Sequence, residues 1–323
     1  MLPLSSLTPH RRRKHQEEQE KSEKTPEIHL DYCFQRKDEE AKPIATLVMR
    51  EKPSGSTASI VAPAKGRDEY VIRRILAKVK QWGDTKVKLI ARSDGENFIK
   101  ALMRTVQIAR EKECAVKTGG THGGTVVEGA PKNDSASSGI AERVVQEVEA
   151  HVRTWLSYVE DKLSETLPGD PPLVIWLIEH VSSILNRNKM GADGKTPHAR
   201  NRGKDSKTKH VPLGEKILWM VSKDERRKLP KMSAMFHYGT FVGINDNSGD
   251  YMLLTPDGLK KCRTIRRLLE RDRWDSISVK KCKGTPWDPA GKEEVKDMPK
   301  DVLMPEPDVK DQDAPIEGAR FKG

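Results

Sequence analysis

The order in which residue patterns follow one another constrains this chain more than any single motif. Ile28-His-Leu-Asp-Tyr-Cys-Phe34, Pro43-Ile-Ala-Thr-Leu-Val-Met49 and Ser56-Thr-Ala-Ser-Ile-Val61 are short, β-rich and separated by charged or Gly/Pro turns, which predicts three consecutive strands. Tyr70, Val71, Ile72, Ile75, Leu76 and Val79 then recur at three and four residues, predicting a helix that stops near Trp82-Gly83 and covers one sheet face. A fourth strand, Val87-Lys-Leu-Ile-Ala91, runs into Ser93-Asp94-Gly95-Glu96, and a second helix carries Phe98, Leu102, Val106 and Ala109 on one face. After the glycines at 119, 120, 123 and 124, Thr125-Val-Val-Glu-Gly129 reads as a fifth strand, and 132–138 as a mobile polar loop. A long helix from near Gly139 buries Ile140, Val144, Val148, Val152, Trp155, Val159 and Leu163 and turns Glu142, Gln146, Glu149 and Arg153 the other way. A further helix over about 172–188 has Leu173, Trp176, Leu177, Val181, Ile184 and Leu185 inward. Strands alternating with helices define an α/β layer architecture.

The remaining chain divides by composition. Residues 1–25 are a charged tail too poor in apolar periodicity to offset ordering entropy. Residues 26–188 form the α/β core, and 189–212 are basic and turn-rich, the composition of a linker. In 213–273, Lys216-Ile-Leu-Trp-Met-Val221, Tyr238-Gly-Thr-Phe-Val-Gly-Ile244, Gly249-Asp-Tyr-Met-Leu-Leu254 and Cys262-Arg-Thr-Ile265 predict a small β-barrel. Residues 274–323 are Pro-, Lys- and Asp-rich and predict a disordered tail.

A formal net charge of +11 favours a polyanionic partner, because each Lys or Arg that neutralises a phosphate releases a condensed counterion. Nucleic acid is the leading candidate. A membrane is not, since no amphipathic stretch pairs a basic face with a bulky apolar one and the longest apolar run stops at Glu179. His10-Arg-Arg-Arg-Lys-His15 follows an apolar opening, the reverse of a signal peptide's order, and reads either as a nuclear localisation signal or as a solvated charge run. The four cysteines, Cys33, Cys114, Cys262 and Cys282, have no CxxC spacing and read as reduced intracellular thiols filling cores.

Three carboxylates stand out by placement: Asp31 inside the first strand, Asp94 at the end of the fourth, and Glu142 on the polar face of a helix opening. A carboxylate within an apolar strand is costly unless paired, metal-bound or exposed, and hard oxygen ligands suit Mg²⁺ or Mn²⁺. Each position also has a structural explanation in an edge strand, a turn or a helical first turn.

In their order and context the motifs resemble the integrases of copia-type retrotransposons, members of the retroviral integrase superfamily. The resemblance rests on His29-Leu-Asp31-Tyr-Cys-Phe34, Arg92-Ser-Asp94-Gly-Glu96 and Ser138-Gly-Ile-Ala-Glu142-Arg143. It continues through Leu185-Asn-Arg187, Gly194-Lys-Thr-Pro197 and Gly239-Thr-Phe-Val-Gly243, covering roughly 26–270. It implies an RNase H-like core, a mixed five-stranded sheet flanked by helices, in which Asp31, Asp94 and Glu142 hold two Mg²⁺ or Mn²⁺ ions for phosphoryl transfer. Water would trim the element's DNA ends, and the new 3′ hydroxyl would then attack target DNA. The resemblance also implies double-stranded DNA as partner, a homo-oligomer on that DNA, and a Src-homology-3-like barrel after Leu213 whose Lys260, Lys261, Arg263, Arg266 and Arg267 contact phosphates, with Gln146 and Arg153 touching DNA ends.

The chain departs from the family in two ways. The separation of 48 positions between Asp94 and Glu142 exceeds the usual spacing, which makes Glu147 and Glu149 fallbacks for the third ligand. No His and Cys set supplies the N-terminal zinc module, so the chain reads as a Pol polyprotein fragment. The alternatives are a non-catalytic DNA-binding relic or domesticated element, and a nuclease of the same fold that cuts RNA in hybrids; the barrel disfavours the second.

Overall fold

The computed structural model describes residues 25–37, 39, 42–63, 68–84, 87–93, 96–118, 124–129, 135–169, 171–208 and 210–292, without the side chains of 114–118, 129 and 135–138. All of them belong to one compact unit within Met1–Lys292. The tail 1–24, the segment 293–323, Asp94 and residues 132–134 of the expected loop lie outside the described residues, while 135–138 are helical, so the long helix starts at Ser135 rather than near Gly139.

Five strands form the first sheet: β1 (Glu27–Gln35), β2 (Ile44–Lys52), β3 (Thr57–Val61), β4 (Leu89–Ser93) and β5 (Thr125–Gly129), in the order β3-β2-β1-β4-β5. β1, β2 and β3 are a meander of antiparallel pairs, whereas β4 runs parallel to β1 and β5 parallel to β4. The crossovers these parallel pairs require are helices, α1 (Glu69–Trp82) and α2 (Asn97–Thr118). Asp68 caps α1 by accepting the Tyr70 N–H at 2.6 Å, and Gly83 ends it in the left-handed conformation at φ 92°. With α3 (Ser135–Leu163) and α4 (Pro172–Asn188), this is the mixed five-stranded sheet flanked by helices expected of an RNase H-like core.

The alternation of β1 separates two cores. Ile28, Leu30 and Tyr32 pack with Leu47, Ile60 and the stripes of α1 and α2, including Val71, Ile75, Leu102 and Val106. Cys33, with Val48 and Val61, faces the opposite way onto Val144 and Val148 of α3 and Ile178 and Val181 of α4. Arg110 of α2 is buried, which is tolerable because it donates to Thr125 Oγ1 at 2.5 Å, to the Asp84 carbonyl at 2.5 Å and to the Val87 carbonyl at 2.9 Å.

The expected one-sided α4 is buried almost all round, from Leu173 to Ile178 without a break, because β3 lies on one side of it and a second sheet on the other. That sheet comprises β6 (Lys216–Met220), β7 (Phe236–Ile244), β8 (Tyr251–Thr255), β9 (Gly258–Cys262) and β10 (Ile265–Arg267), all antiparallel, in the order β10-β6-β7-β8-β9. The five antiparallel strands are compatible with the small Src-homology-3-like barrel expected, though among the described residues no ladder joins β9 to β10 and the barrel is not closed. The strand expected at 262–265 is instead split, with Cys262 ending β9, Ile265 opening β10 and the break at 263–264. Pro256 and Asp257 turn β8 straight into β9, whose lysines the sequence pattern had obscured.

Two composition-based boundaries also change. The basic segment 189–212 contains α5 (Pro197–Arg202), capped by Thr196 and tied to the core. Arg200 Nη1 donates to the Ser54 carbonyl and Asn201 Nδ2 to Ser56 Oγ, both at 2.7 Å. Residues 274–292 are folded, with α7 (Ser276–Lys280), since two tryptophans anchor them. Trp274 joins the α3–α4 core and Trp287 sits edge-on to Tyr70 at 6.5 Å, while Trp176 Nε1 donates to the Gly284 carbonyl at 3.0 Å. The remaining short helix, α6 (Lys223–Lys228), lies between β6 and β7.

Candidate metal and DNA site

Asp31 lies halfway along the central strand β1, opposite Val48 of β2. Opposed residues of an antiparallel pair share a face, and Val48 packs under α3 with Val144 and Val148, so Asp31 lies on the face that α3 crosses. His29 and Cys33, two residues to either side, have the same parity. The Asp31 carboxylate is half-buried, and its Oδ1 accepts the Tyr32 N–H at 2.7 Å.

Glu142 stands on α3 between buried Ala141 and Val144 and is itself exposed; Gln146 Nε2 donates to its Oε1 at 3.4 Å. Gln146 and Arg153 are exposed one and three turns further along α3. Ser93 is the last described residue of β4, next after Arg92, which is in register with His29. Asp94 follows Ser93 in the chain and lies outside the described residues. Among the described residues no group of three His, Cys, Asp or Glu side chains is gathered to hold a metal ion. The described members Asp31 and Glu142 offer hard carboxylate oxygens, the donor type that fits Mg²⁺ or Mn²⁺.

The fallback carboxylates differ in their surroundings. Glu147 receives Arg50 Nη2 at 3.3 Å and is also paired with Lys189, so it ties α3 to β2 and to the end of α4. Glu149 is half-buried and close enough to raise the Cys33 thiol electrostatically, though burial is the main cause that pushes that thiol up to about 12. His29, absent from the expected site, is the buried neighbour of Asp31. Its Nε2 lies 3.2 Å from Glu27 Oε2, and burial, reinforced by Lys52 and Arg92, holds its pKa below the usual imidazole value. Its parity in β1 was the signal that could have found it.

The five basic residues expected on the second sheet do not form one patch. Lys260 opposes Leu253 and Lys261 opposes Met252, so successive lysines fall on opposite faces. Arg266 and Arg267 are divided in the same way. Arg267 is committed to the buried Glu215 carboxylate, Arg263 Nε lies 3.3 Å from Asp250 Oδ1, and the Arg266 guanidinium sits 4.7 Å over the Phe236 ring. The sheet is held on the core by Asp246, which receives Lys78 at 2.9 Å and Arg187 at 3.2 Å. Asn186 clamps β3 by accepting the Thr57 N–H and donating to its carbonyl, both at 2.7 Å.

No helix among the described residues is long and apolar enough to cross a membrane. Cys33, Cys262 and Cys282 are buried free thiols, and Cys114 lies outside the described side chains.

No protein-family model and no curated protein sequence matches the chain. Among solved structures it is similar to a chain of the simian T-cell lymphotropic virus intasome in complex with PP2A regulatory subunit B56 gamma. That likeness has 12% identity and a TM-score of 0.39, over 75% of this chain and 78% of that one. It is also similar to the HTLV-2 integrase catalytic core domain in complex with magnesium, at 14% identity and a TM-score of 0.36, over 54% and 95%. The catalytic core domain of BIV integrase aligns at 16% identity and a TM-score of 0.34, over 55% and 93%. At these identities and scores, the functional reading is carried by this chain's own residues.

Proposed function

We propose that this chain is a retrotransposon integrase of the copia type that joins DNA ends to target DNA by phosphoryl transfer. The observation that carries the reading is the placement of Asp31 at the middle of the central strand, on the face crossed by the helix that bears Glu142. Asp31, Asp94 and Glu142 would hold two Mg²⁺ or Mn²⁺ ions. Bound there, the pair would activate the attacking oxygen and stabilise the leaving oxygen. The assignment asks Asp94, the residue after the end of β4 in the chain, to reach Asp31. Gln146 and Arg153, both exposed along α3 beyond Glu142, would contact a DNA end in this reading. Double-stranded DNA, a homo-oligomer assembled on it, and a nuclear site of action belong to the same reading.

The test is strand transfer with Mn²⁺ and a duplex oligonucleotide carrying the element's end. Joined product is expected from the native chain and not from Asp31→Asn, Asp94→Asn or Glu142→Gln. Absence of product, or product unchanged in Asp94→Asn, overturns the reading. A non-catalytic DNA-binding role is the second reading, favoured by the hydrogen bond that directs Glu142 to Gln146 on its own helix. Duplex binding without strand transfer would support it.

A further inference from the structure

One face of the second sheet carries apolar side chains that no core covers. The β6–β7 register pairs Leu218 with Tyr238 and Met220 with Phe236, and Arg266 of β10 pairs with Leu218, so all five share a face. Leu218, Met220 and Phe236 are half-buried, Tyr238 is 59% exposed, and none belongs to an apolar cluster among the described residues. Both rings carry a cation: Arg266 lies 4.7 Å from the Phe236 centroid and Lys216 Nζ lies 5.0 Å from that of Tyr238. Lys216 is in turn anchored by Asp275 Oδ2 at 2.7 Å.

We propose that this face binds single-stranded nucleic acid, stacking unpaired bases on Tyr238 and Phe236 while Lys216, Arg266 and the cations of the β6–β7 segment meet the backbone phosphates. An exposed ring stacks on any base, because every base has a π-face, and an adjacent cation draws in the phosphate that comes with it. Duplex DNA keeps its bases stacked inside and cannot use the rings. The segment that leaves the sheet between Met220 and Phe236 adds Lys223, Arg226, Arg227, Lys228 and Lys231 against Asp224 and Glu225. A second copy docked by two-fold symmetry would bring the cations of this face, Lys216 and Arg266, close to those of its partner, a like-charge arrangement that disfavours it. This inference goes beyond the metal-site reading and stands without it.

Fluorescence anisotropy of the full chain with a labelled oligo-dT, and with a duplex of equal length, tests it. Tyr238→Ala should weaken oligo-dT binding roughly tenfold and leave duplex binding unchanged, Tyr238→Phe should retain native affinity, and Arg266→Gln should weaken binding and flatten its salt dependence. Thermal melting of each variant shows whether it is folded. Asp31→Asn should bind oligo-dT like the native chain, so a failed strand-transfer assay with Tyr238-dependent binding intact sinks only the integrase reading. Native-like oligo-dT affinity in folded Tyr238→Ala overturns the inference. So does an equal loss of duplex affinity, or a concentration-dependent dimer that Tyr238→Ala abolishes while oligo-dT affinity stays the same.

Discussion

Arg267 holds the buried carboxylate of Glu215 in a two-pronged grip, Nε to Oε1 at 2.7 Å and Nη2 to Oε2 at 2.6 Å. Glu215 has no exposed side-chain surface, so its charge depends on this partner and on Arg273, whose Nε is 3.6 Å away. Removing one member of such a pair strands the other charge in a poor solvent. Arg267→Gln should therefore cost about 3 kcal/mol, read from the urea midpoint, with Arg273 limiting the loss. Lys261→Gln, which removes an exposed cation, should move that midpoint little. If Arg267→Gln weakens DNA binding without lowering stability, Arg267 is a DNA contact after all.

His180 makes the seam between the core and the second sheet sensitive to acid. Its ring is edge-on to Trp155 at 6.4 Å and to Phe241 at 5.8 Å, and its Nδ1 is covered with no hydrogen-bond partner among the described residues. Burial, then Arg187 and His210, push its pKa down to about 4, with Asp246 opposing. A folded-state value below the ordinary 6.5 means the fold favours the neutral ring, so this stability is present above pH 6.5 and is lost as pH falls from 6.5 towards 4. The residue keeps some exposure, so the loss should be on the order of 2 kcal/mol rather than the ~3 of a full shift. His180→Phe, which preserves both ring contacts, should flatten the stability profile between pH 4 and 6.5. His29 and His198 shift in the same direction and leave a residual slope.

The first three strands were legible because each is a short β-rich run bounded by charged or Gly/Pro turns, and Asp31 is conspicuous as a charge within such a run. What escaped was tertiary. Lys260 and Lys261 look like a charged turn but lie in β9, opposite Leu253 and Met252. Trp274 and Trp287 fix a Pro- and Lys-rich segment whose composition resembles a disordered tail. Arg200 and Asn201 reach across the fold to the β2–β3 turn, a partnership no local pattern encodes. Of the site itself, the strand and helix that carry Asp31 and Glu142 were readable, whereas the pairing of Glu147 with Arg50 and Lys189 depends on how α3 crosses the sheet.

Gly258 tests the folded state of 274–292. Its φ of +91° suits glycine, and an added Cβ would lie 2.5 Å from the Pro289 carbonyl oxygen and 2.8 Å from that of Ala290. Backbone cannot yield as a flexible side chain can, so Gly258→Ala should both strain the β8–β9 turn and expel the docked segment. A loss of roughly 2–3 kcal/mol is expected, with faster proteolysis within 281–291 than in the native chain. Unchanged protection there would mean that the segment does not depend on this close approach.

The two acidic residues of α3 should separate structure from chemistry. Glu147 is paired with Arg50 and Lys189 while retaining about a fifth of its side-chain exposure, so Glu147→Gln should cost about 1 kcal/mol and leave strand transfer within a few-fold of native. Glu142 is exposed and hydrogen-bonded only within its own helix among the described residues, so Glu142→Gln should leave the thermal midpoint unchanged. If it is the third metal ligand, the same substitution lowers strand transfer by roughly two orders of magnitude or more. Strand transfer abolished by Glu147→Gln and retained by Glu142→Gln would move the ligand five residues along α3, to a carboxylate whose partners would have to be displaced by metal.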